Sequence, residues 1–323
     1  MMPGTYRAVV LPAFNADLVI EERARPAELM GPDAQWLKVV AAGVCHSDVH
    51  VAEGRWPALP TPLVMGHEIT VETPDGLAVV YPPWGCGACR YCDATEEQLC
   101  DHVGEAGLVH DGGYAEYVQV PHPKYLFPIG DLDPAFAATF GCSSLTPYRA
   151  TRKALEWMPA GSTVVLIGAG GLGQFGIQYL RSMTAAHVIV ADTSPAKRAR
   201  ALELGAHEVC DTDDLAGPID VVFDYVGADA TLAVANRIIR RGGLVVNVGA
   251  YGGSVPFGFS LVPHETWWTQ SMWGSREDLA EVIRIAQRGD LQYSVERLPL
   301  EAATEAHRRI QAGQVEGRLV LIP

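Results

Sequence analysis

A glycine-rich motif between two apolar segments constrains this chain more than any other feature. The first segment, Thr163–Ile167, is short and rich in β-branched residues, which is typical of a strand buried on both faces. Apolar residues at helical spacing follow the glycines, and a second apolar segment at 188–191 ends in Asp192. This order predicts a dinucleotide-binding βαβ unit. The alternative is a glycine-rich turn in a parallel sheet that binds no ligand.

The glycines of this motif have G-x-G-x-x-G spacing, and each has a physical task. Gly168 permits the tight turn, Gly170 lets the backbone approach a pyrophosphate, and Gly173 allows the helix to pack close to the strand. The N–H groups at the start of the helix attract phosphate. The predicted cofactor-binding residues of the motif are Gly168, Gly170, Gly171, Leu172 and Gly173.

Asp192 predicts which dinucleotide is bound. It follows Gly173 by 19 residues, where a carboxylate can accept hydrogen bonds from the ribose hydroxyls of the adenosine. The same carboxylate would repel a 2′-phosphate. We therefore expect NAD(H) rather than NADP(H).

Length and composition limit the class of protein. A chain of 323 residues with 48% apolar residues is long enough for two domains with sizeable cores. It has no apolar stretch long enough to span a membrane, and its N-terminus lacks the apolar core of a signal peptide, so we expect a cytoplasmic protein. A net charge of −14 argues against a nucleic-acid partner, because phosphate contacts need clustered cations.

Two groups of potential metal ligands precede the glycine motif. Residues 45–50 contain a cysteine, two histidines, a serine and an aspartate, and His67 and Glu68 follow. A thiolate from Cys45 and an imidazole from His67 can bind zinc and leave room for a third protein ligand and an open position. Each residue alone would be an ordinary packed or surface side chain.

The second group consists only of cysteines. Four thiolates at spacings of two, two and seven intervening residues predict a closed tetrahedral zinc site with a structural task. An iron–sulfur cluster is the alternative, but its fourth cysteine normally comes after three residues and precedes proline. The predicted ligands are Cys86, Cys89, Cys92 and Cys100.

The remaining chain divides into β-rich and alternating parts. Residues 1–40 predict a small all-β barrel, 112–120 predicts a strand entered through a glycine turn, and 133–158 predicts a helix that contains Cys142. Spacing alone leaves the role of Cys142 open. From residue 161 strands and helices alternate, which predicts a parallel sheet covered on both faces. The predicted elements are 163–167, 171–182, 187–191, 195–204, 208–210, 219–223, 228–240 and 243–248, then a helix at 277–288 and a final strand after Gly317.

Together these motifs resemble the zinc-dependent medium-chain dehydrogenase/reductase family, the alcohol dehydrogenases. The resemblance covers nearly the whole chain and follows the family's motif order. It is strongest to bacterial NAD-dependent secondary alcohol dehydrogenases, on Trp84-Gly-Cys-Gly-Ala-Cys and Trp273-Gly-Ser-Arg-Glu. The motifs that carry it are residues 43–50, 66–68, the four cysteines, Gly141-Cys142, residues 168–173 and Gly317-Arg318.

The resemblance implies an α/β fold with two domains. Residues 1–143 together with 276–323 would form a GroES-like β-barrel catalytic domain that carries the Cys₄ zinc lobe at 84–102. Residues 144–275 would form a Rossmann domain, a doubly wound parallel sheet that binds NAD. Two departures from the family pattern lie beside the barrel: Val71 replaces a glycine, and Thr73-Pro-Asp-Gly76 shortens a hairpin.

The resemblance also implies the roles of the metal ligands and their neighbours. Cys45, His67 and Cys142 would bind the catalytic zinc, with Asp48 close to them and Glu68 as a transient ligand. Ser47 and His50 would pass the substrate proton outward.

Further residues are assigned to the cofactor and the substrate on the same grounds. His46 and Arg318 would contact the pyrophosphate, and Val226 and Val248 would line the nicotinamide. For any one of the tryptophans, core packing is an equally weighted alternative. The candidate substrate-pocket residues are Ser47, Trp56, Trp84, Met272 and Trp273.

The expected activity is hydride transfer between NAD(H) and a hydrophobic, secondary alcohol or its ketone. Two Zn²⁺ ions per subunit are expected, one catalytic and one structural, in a homodimer or homotetramer. The alternatives are a zinc dehydrogenase for polyols or aldehydes and a catalytically silent NAD-binding scaffold. A zinc-ribbon nucleic-acid binder is disfavoured by the negative charge.

Overall fold

The computed structural model describes residues 4–323, which form two units. The first unit contains the chain up to Cys142 together with Gly274–Pro323, and the second contains Ser143–Trp273. In the part of the chain that the structure describes, no helix has the length and hydropathy needed to cross a bilayer.

The first unit begins with short strands separated by turns and helices. Its elements up to Cys142 are β1 (Thr5–Leu11), β2 (Val19–Ala24), β3 (Gln35–Val44), α1 (His46–Ala52), β4 (Leu63–Val64), β5 (Glu68–Thr73), β6 (Gly76–Val80), β7 (Pro83–Trp84), α2 (Arg90–Asp93), β8 (Gly104–Glu105), β9 (Tyr117–Val120), β10 (Leu126–Pro128) and α3 (Pro134–Ala138).

The second unit alternates helices and strands. Its elements are α4 (Leu145–Lys153), β11 (Thr163–Ile167), α5 (Gly171–Met183), β12 (His187–Ala191), α6 (Pro195–Glu203), β13 (Glu208–Cys210), β14 (Ile219–Asp224), α7 (Asp229–Ile238), β15 (Ile239–Asn247) and β16 (Trp267–Gln270). The chain then completes the first unit with α8 (Arg276–Gln287), β17 (Val295–Pro299), α9 (Ala303–Gln311) and β18 (Arg318–Ile322).

Three sheets build the first unit. The largest has the strand order β10-β6-β5-β3-β18-β17, with β9 also paired to β3. β18 runs antiparallel to β3, so the C-terminal strand completes a sheet that begins near the N-terminus. The smaller sheets have the orders β2-β1-β4 and β7-β8.

The sheet of the second unit is parallel throughout, as the sequence predicts. Its strand order, β13-β12-β11-β14-β15-β16, is the order of a Rossmann fold. Successive residues of β11 point to opposite faces: Val164 and Leu166 pack into one core, and Val165 and Ile167 pack into the other. The predicted doubly wound sheet is confirmed.

Several element boundaries differ from the sequence prediction. The predicted helix at 133–158 is broken between α3 and α4, where a 3₁₀ turn at Thr139–Gly141 leads into Cys142 in a non-helical conformation. The predicted helix at 228–240 ends at Ile238, because Ile239 pairs with Ile219 and begins a strand. β16, β17 and α9 were not predicted.

The shortened hairpin has the geometry expected from its sequence. Thr73 pairs with Gly76, so Pro74 and Asp75 alone form the turn between β5 and β6. The Thr73 hydroxyl donates to the carbonyl oxygen of Gly76 at 2.8 Å and accepts from the N–H of Asp75 at 3.2 Å. A two-residue turn of this kind fixes the register of the two strands.

Candidate functional site

Four potential metal ligands meet in the interior of the first unit. We call Cys45, His67, Glu68 and Cys142 the buried cluster. All four side chains are buried, and one ligand atom from each lies within 4.8 Å of the others. The set comes from three separate segments of the chain: the start of α1, the start of β5 and the turn after α3. Two thiolates and an imidazole at this separation fit a tetrahedral Zn²⁺ ion with one further position.

The break in the predicted helix brings Cys142 into this cluster. A Cβ atom at Gly141 would lie 3.1 Å from the carbonyl oxygen of His67 and 3.4 Å from Cα of Glu68. The turn therefore packs directly on the backbone of the neighbouring ligands, where a larger residue would be crowded. The structure thus places Cys142 beside Cys45 and His67, which spacing alone could not predict.

Asp48 orients two members of the buried cluster. Its Oδ1 lies 3.1 Å from Nδ1 of His67, and its Oδ2 accepts the backbone N–H of Cys45 at 2.9 Å. Occupation of Nδ1 leaves Nε2 of His67 for a metal, which is the common arrangement for a metal-binding histidine. Burial disfavours a charge on His67, but the carboxylate of Asp48 outweighs it and raises the pKa of His67.

Glu68 is held by Arg318. Nη2 of Arg318 donates to Oε1 of Glu68 at 2.6 Å, and both side chains are buried. Burial raises the pKa of the Glu68 carboxyl, although the guanidinium opposes the change. The family resemblance assigns Arg318 to a pyrophosphate, whereas the structure shows an ion pair with Glu68 that the sequence does not predict. The pyrophosphate role stays a prediction.

The electrostatic surroundings favour a thiolate at Cys45. A hydrogen bond from Cys142, together with the charges of His67 and Arg318, lowers the pKa of Cys45 well below its ordinary value despite complete burial. The thiolate is the form that binds metal ions. The donor set and its surroundings therefore fit zinc.

The predicted proton-relay residues lie on α1, next to the buried cluster in sequence. His46 and Ser47 are half-buried, whereas His50 is buried. The rings of His46 and His50 are 4.8 Å apart, and Trp56 packs edge-on against His50 at 6.0 Å. Burial, assisted by the charge of His46, lowers the pKa of His50 to about 4. His50 is therefore neutral near pH 7.

The four cysteines at 86–100 form a second, more exposed site. Their sulfur atoms lie within 4.8 Å of one another, and we call them the four-cysteine cluster. Backbone N–H groups of Cys86, Gly87 and His102 donate to cluster sulfurs at 3.3–3.4 Å. Partial burial opposes ionisation of Cys100, but the N–H groups of Cys86 and His102 lower its pKa to about 7. Four sulfurs with this support fit a closed zinc site.

The glycine motif lies where β11 turns into α5. Gly168 has φ +92°, and a Cβ atom at Gly173 would overlap the carbonyl oxygen of Gly168. No atom lies within 4 Å of a Cβ built on Gly170, so space is open where a ligand would approach. No side chain caps α5, which leaves its first N–H groups for a phosphate. Gly171 and Leu172 form the first helical turn.

Asp192 follows β12 and is nearly buried, with 8% of its surface exposed. Its Oδ2 accepts the N–H of Ala169 at 2.8 Å, and its Oδ1 accepts the N–H of Ser194 at 2.8 Å. The carboxylate is thus fixed beside the glycine turn, and each oxygen retains a lone pair for a further hydrogen bond. This arrangement fits the ribose of a dinucleotide.

Val226 and Val248 lie in the loops that follow β14 and β15, and Asp224 joins these loops. Its Oδ1 accepts from Val226 N at 2.8 Å and Gly227 N at 3.0 Å, and its carbonyl oxygen accepts from Val248 N at 2.8 Å. The sequence prediction gave Asp224 no role. Its position as an acidic residue at the end of the apolar strand β14 is the signal that could have identified it.

The candidate pocket residues differ in exposure. In the first unit, Trp84 is buried and donates its indole N–H to the carbonyl oxygen of Tyr81 at 2.9 Å, while Trp56 is half-buried. In the second unit, Trp273 is buried and Met272 is 57% exposed. Their contact with substrate remains a prediction.

Both halves of the chain match known families. Residues 31–131 match the alcohol dehydrogenase GroES-like domain, and residues 171–288 match the zinc-binding dehydrogenase family. The chain is 33% identical to an NAD-dependent alcohol dehydrogenase of Sulfolobus acidocaldarius over 98% of this chain and 99% of that protein. It is 34% identical to an alcohol dehydrogenase of Geobacillus stearothermophilus over 98% of each.

A solved structure agrees with these sequence matches. The acetophenone reductase of Geotrichum candidum, determined in complex with NAD, has a TM-score of 0.89 and 29% identity, covering 100% of this chain and 98% of that one. The resemblance seen in the sequence motifs is thereby confirmed. The chain belongs to the zinc-dependent medium-chain dehydrogenase/reductase family of alcohol dehydrogenases.

Proposed function

We propose that this protein is an NAD-dependent zinc alcohol dehydrogenase that interconverts hydrophobic secondary alcohols and ketones. The buried cluster is the observation that carries the proposal. Cys45, His67 and Cys142 meet within 4.8 Å although they come from separate segments, and Asp48 orients Cys45 and His67. A protein that had lost its chemistry would not need this set of aligned ligands.

The chain offers a place for each cofactor. Cys45, His67 and Cys142 would bind the catalytic Zn²⁺ ion, and the four-cysteine cluster would bind a structural one, giving two per subunit. The glycine motif and Asp192 would bind NAD(H), with His46 and Arg318 at its pyrophosphate. When bound, zinc supplies a Lewis acid that polarises the substrate oxygen, and the nicotinamide supplies or takes up the hydride.

The protein's own residues supply orientation and proton transfer. Asp48 holds His67 in the tautomer that binds metal through Nε2. Ser47 would take the substrate proton, and His50, which is neutral because burial lowers its pKa to about 4, would pass it outward. Asp224 fixes the loops that carry Val226 and Val248, which would line the nicotinamide.

We assign the two tasks to the two units. The first unit, up to Cys142 and from Gly274, would be the catalytic domain, because it contains both metal-ligand clusters. The second unit, Ser143–Trp273, would be the NAD-binding domain, because it contains the glycine motif and Asp192. The sequence prediction divides the chain between residues 143 and 144 and between residues 275 and 276.

Aromatic pocket candidates favour an apolar substrate. Trp56, Trp84 and Trp273, together with Met272, would provide apolar surface and few polar partners for a polyol. The similar structure from Geotrichum candidum is named as an acetophenone reductase, which supports an aryl methyl ketone as the first substrate to try.

The proposal is tested by the oxidation of NADH with acetophenone, before and after treatment with a zinc chelator. We expect NADH consumption that ceases when zinc is removed and returns when zinc is added. A rate that survives complete metal removal would contradict the proposal, as would NADH binding without reduction of any ketone.

We also propose that the protein assembles as a homodimer or homotetramer. Four large side chains of the second unit are strongly exposed: Phe257 at 74%, Phe259 at 91%, Leu261 at 56% and Trp267 at 62%. Large apolar side chains that are exposed in the single chain are typical of an interface when they cluster. Light scattering on purified protein tests this, and a monomer at micromolar concentration would contradict it.

A further inference from the structure

We propose that Tyr114 is a positioning residue for the metal ligands of the buried cluster and that it acts through Asp48. This inference rests on the proposed function, because it assigns a metal to the buried cluster. It also gives a task to the glycine turn at 112–113, a motif that neither the zinc sites nor the NAD site explains.

The first contact is a hydrogen bond to the carboxylate that orients the ligands. The Tyr114 hydroxyl donates to Oδ2 of Asp48 at 2.8 Å, and both side chains are fully buried. Oδ2 also accepts the N–H of Cys45, while Oδ1 faces His67. Tyr114 therefore donates a side-chain hydrogen bond to Asp48 from a segment that supplies no metal ligand.

The second contact fixes the backbone just before His67. The N–H groups of Gly112, Gly113 and Tyr114 donate to the carbonyl oxygens of residues 64, 66 and 65 at 2.7, 2.8 and 2.9 Å. The Tyr114 ring lies directly on Gly66, where a Cβ atom would overlap it, and Gly66 has φ +93°. The glycine turn thus fixes Tyr114 to the backbone of residues 64–66, which directly precede the metal ligand His67.

The hydroxyl also meets a residue from the C-terminal part of the chain. Nε2 of His307, on α9, lies 3.4 Å from the Tyr114 oxygen, and the two rings pack edge-on at 5.9 Å. Burial and the Asp48 carboxylate raise the pKa of Tyr114 well above its usual range, so the hydroxyl keeps the proton that it donates. Tyr114 can therefore donate to Asp48 while His307 limits its movement.

This geometry has a consequence for metal binding. A buried carboxylate needs hydrogen-bond donors, and loss of one leaves it freer to turn away from His67. Changes in the partners of metal ligands typically reduce metal affinity about 10–100-fold. Since Tyr114 is one contact further out, we expect its hydroxyl to slow zinc loss from the buried cluster about tenfold.

The test compares Tyr114→Phe with Tyr179→Phe in the zinc-loaded full-length protein. Tyr179 is an equally buried tyrosine whose hydroxyl lies 2.6 Å from Ser144 in the second unit, so its variant controls for loss of a buried phenol. Zinc release to a colorimetric chelator is followed in time, and Cys45→Ala identifies which release phase belongs to the buried cluster. We expect that phase to be about tenfold faster in Tyr114→Phe and unchanged in Tyr179→Phe.

A double-mutant comparison separates positioning from general loosening of the fold. If Tyr114 acts through Asp48, the Tyr114→Phe change should have little further effect in an Asp48→Asn background. Equal and additive effects on zinc release in the two backgrounds would overturn the proposal, as would equal release rates in the wild type and Tyr114→Phe. The absorption spectrum of cobalt bound in place of zinc should differ between Tyr114→Phe and the wild type. The difference should be present at a temperature where the Tyr114→Phe variant is fully folded.

The proposed function can fail separately. If the wild-type protein has no release phase that Cys45→Ala removes, the buried cluster holds no zinc, and the proposed function is overturned together with the role of Tyr114. If that phase is present but insensitive to Tyr114→Phe, only the positioning role is overturned.

Discussion

The buried cluster and the four-cysteine cluster use similar sulfur ligands in different surroundings. The buried cluster mixes sulfur, imidazole and carboxylate, and Asp48 and Arg318 hold its members through charged contacts. The four-cysteine cluster has only sulfur, and its supporting contacts are backbone N–H groups. One site is built from side-chain charges in the interior and the other from the backbone near the surface.

This difference separates two tasks that a metal can have. A metal site that polarises a substrate oxygen needs an open coordination position and oriented side chains around the metal. A site that only has to hold a lobe together needs four strong ligands and no open position. We therefore expect changes in the buried cluster to affect turnover and changes in the four-cysteine cluster to affect stability.

The largest effect is expected for Cys45→Ala. Loss of a ligand from the buried cluster should remove one zinc per chain and reduce turnover on the order of 10³-fold or more, because several kcal/mol of charge stabilisation are lost. NADH should still bind, since the glycine motif and Asp192 are intact. Metal analysis, steady-state kinetics and NADH fluorescence measure the three quantities. Wild-type turnover in this variant would contradict the role of the buried cluster.

A change in the four-cysteine cluster should give the opposite pattern. Cys100→Ala should also remove one zinc per chain, but it should lower the melting temperature by about 10 °C, because the lobe at 84–102 loses its metal crosslink. Turnover at 25 °C should stay within about threefold of the wild type, since this cluster contributes no ligand to the other. Two zinc ions per chain in this variant would show that Cys100 is not a ligand.

Asp192→Ala is expected to have the smallest effect on the buried cluster and the four-cysteine cluster, because Asp192 lies in the second unit. Zinc content should stay at the wild-type value. The preference for NADH over NADPH should fall about tenfold or more, because the ribose would lose its hydrogen bonds to the carboxylate and a 2′-phosphate would no longer be repelled. The KM values for the two cofactors measure the preference. Unchanged selectivity would remove the ribose role of Asp192, and loss of zinc would show that the clusters depend on the second unit.

The parts of the molecule that the sequence predicts well are local in the chain. The four-cysteine cluster lies within fifteen residues, and the glycine motif is a continuous strand–turn–helix, so spacing and apolar patterns are sufficient. The strands of the second unit are continuous apolar segments because both of their faces are buried. The edge strand Trp267–Gln270 lacks this pattern and was missed.

The parts that local patterns do not predict depend on contacts between distant residues. Cys142 enters the buried cluster because the turn at Thr139–Gly141 packs on His67, which no local pattern shows. Arg318 reaches Glu68 across 250 positions of the sequence, and Tyr114 reaches Asp48 across 66. Pairings of this kind follow from the tertiary packing of the sheets, so a single sequence does not predict them.

The most direct test of the difference between the clusters is a chelator time course on the wild-type protein. Zinc content, turnover and melting temperature are measured on the same samples as metal is withdrawn. We predict two zinc ions per chain at the start. Turnover should fall in proportion to the zinc lost from the buried cluster, which is the ion that Cys45→Ala lacks. The melting temperature should fall only with the zinc lost from the four-cysteine cluster, which is the ion that Cys100→Ala lacks. Turnover that follows the zinc of the four-cysteine cluster, or persists after the buried cluster is empty, would contradict the account.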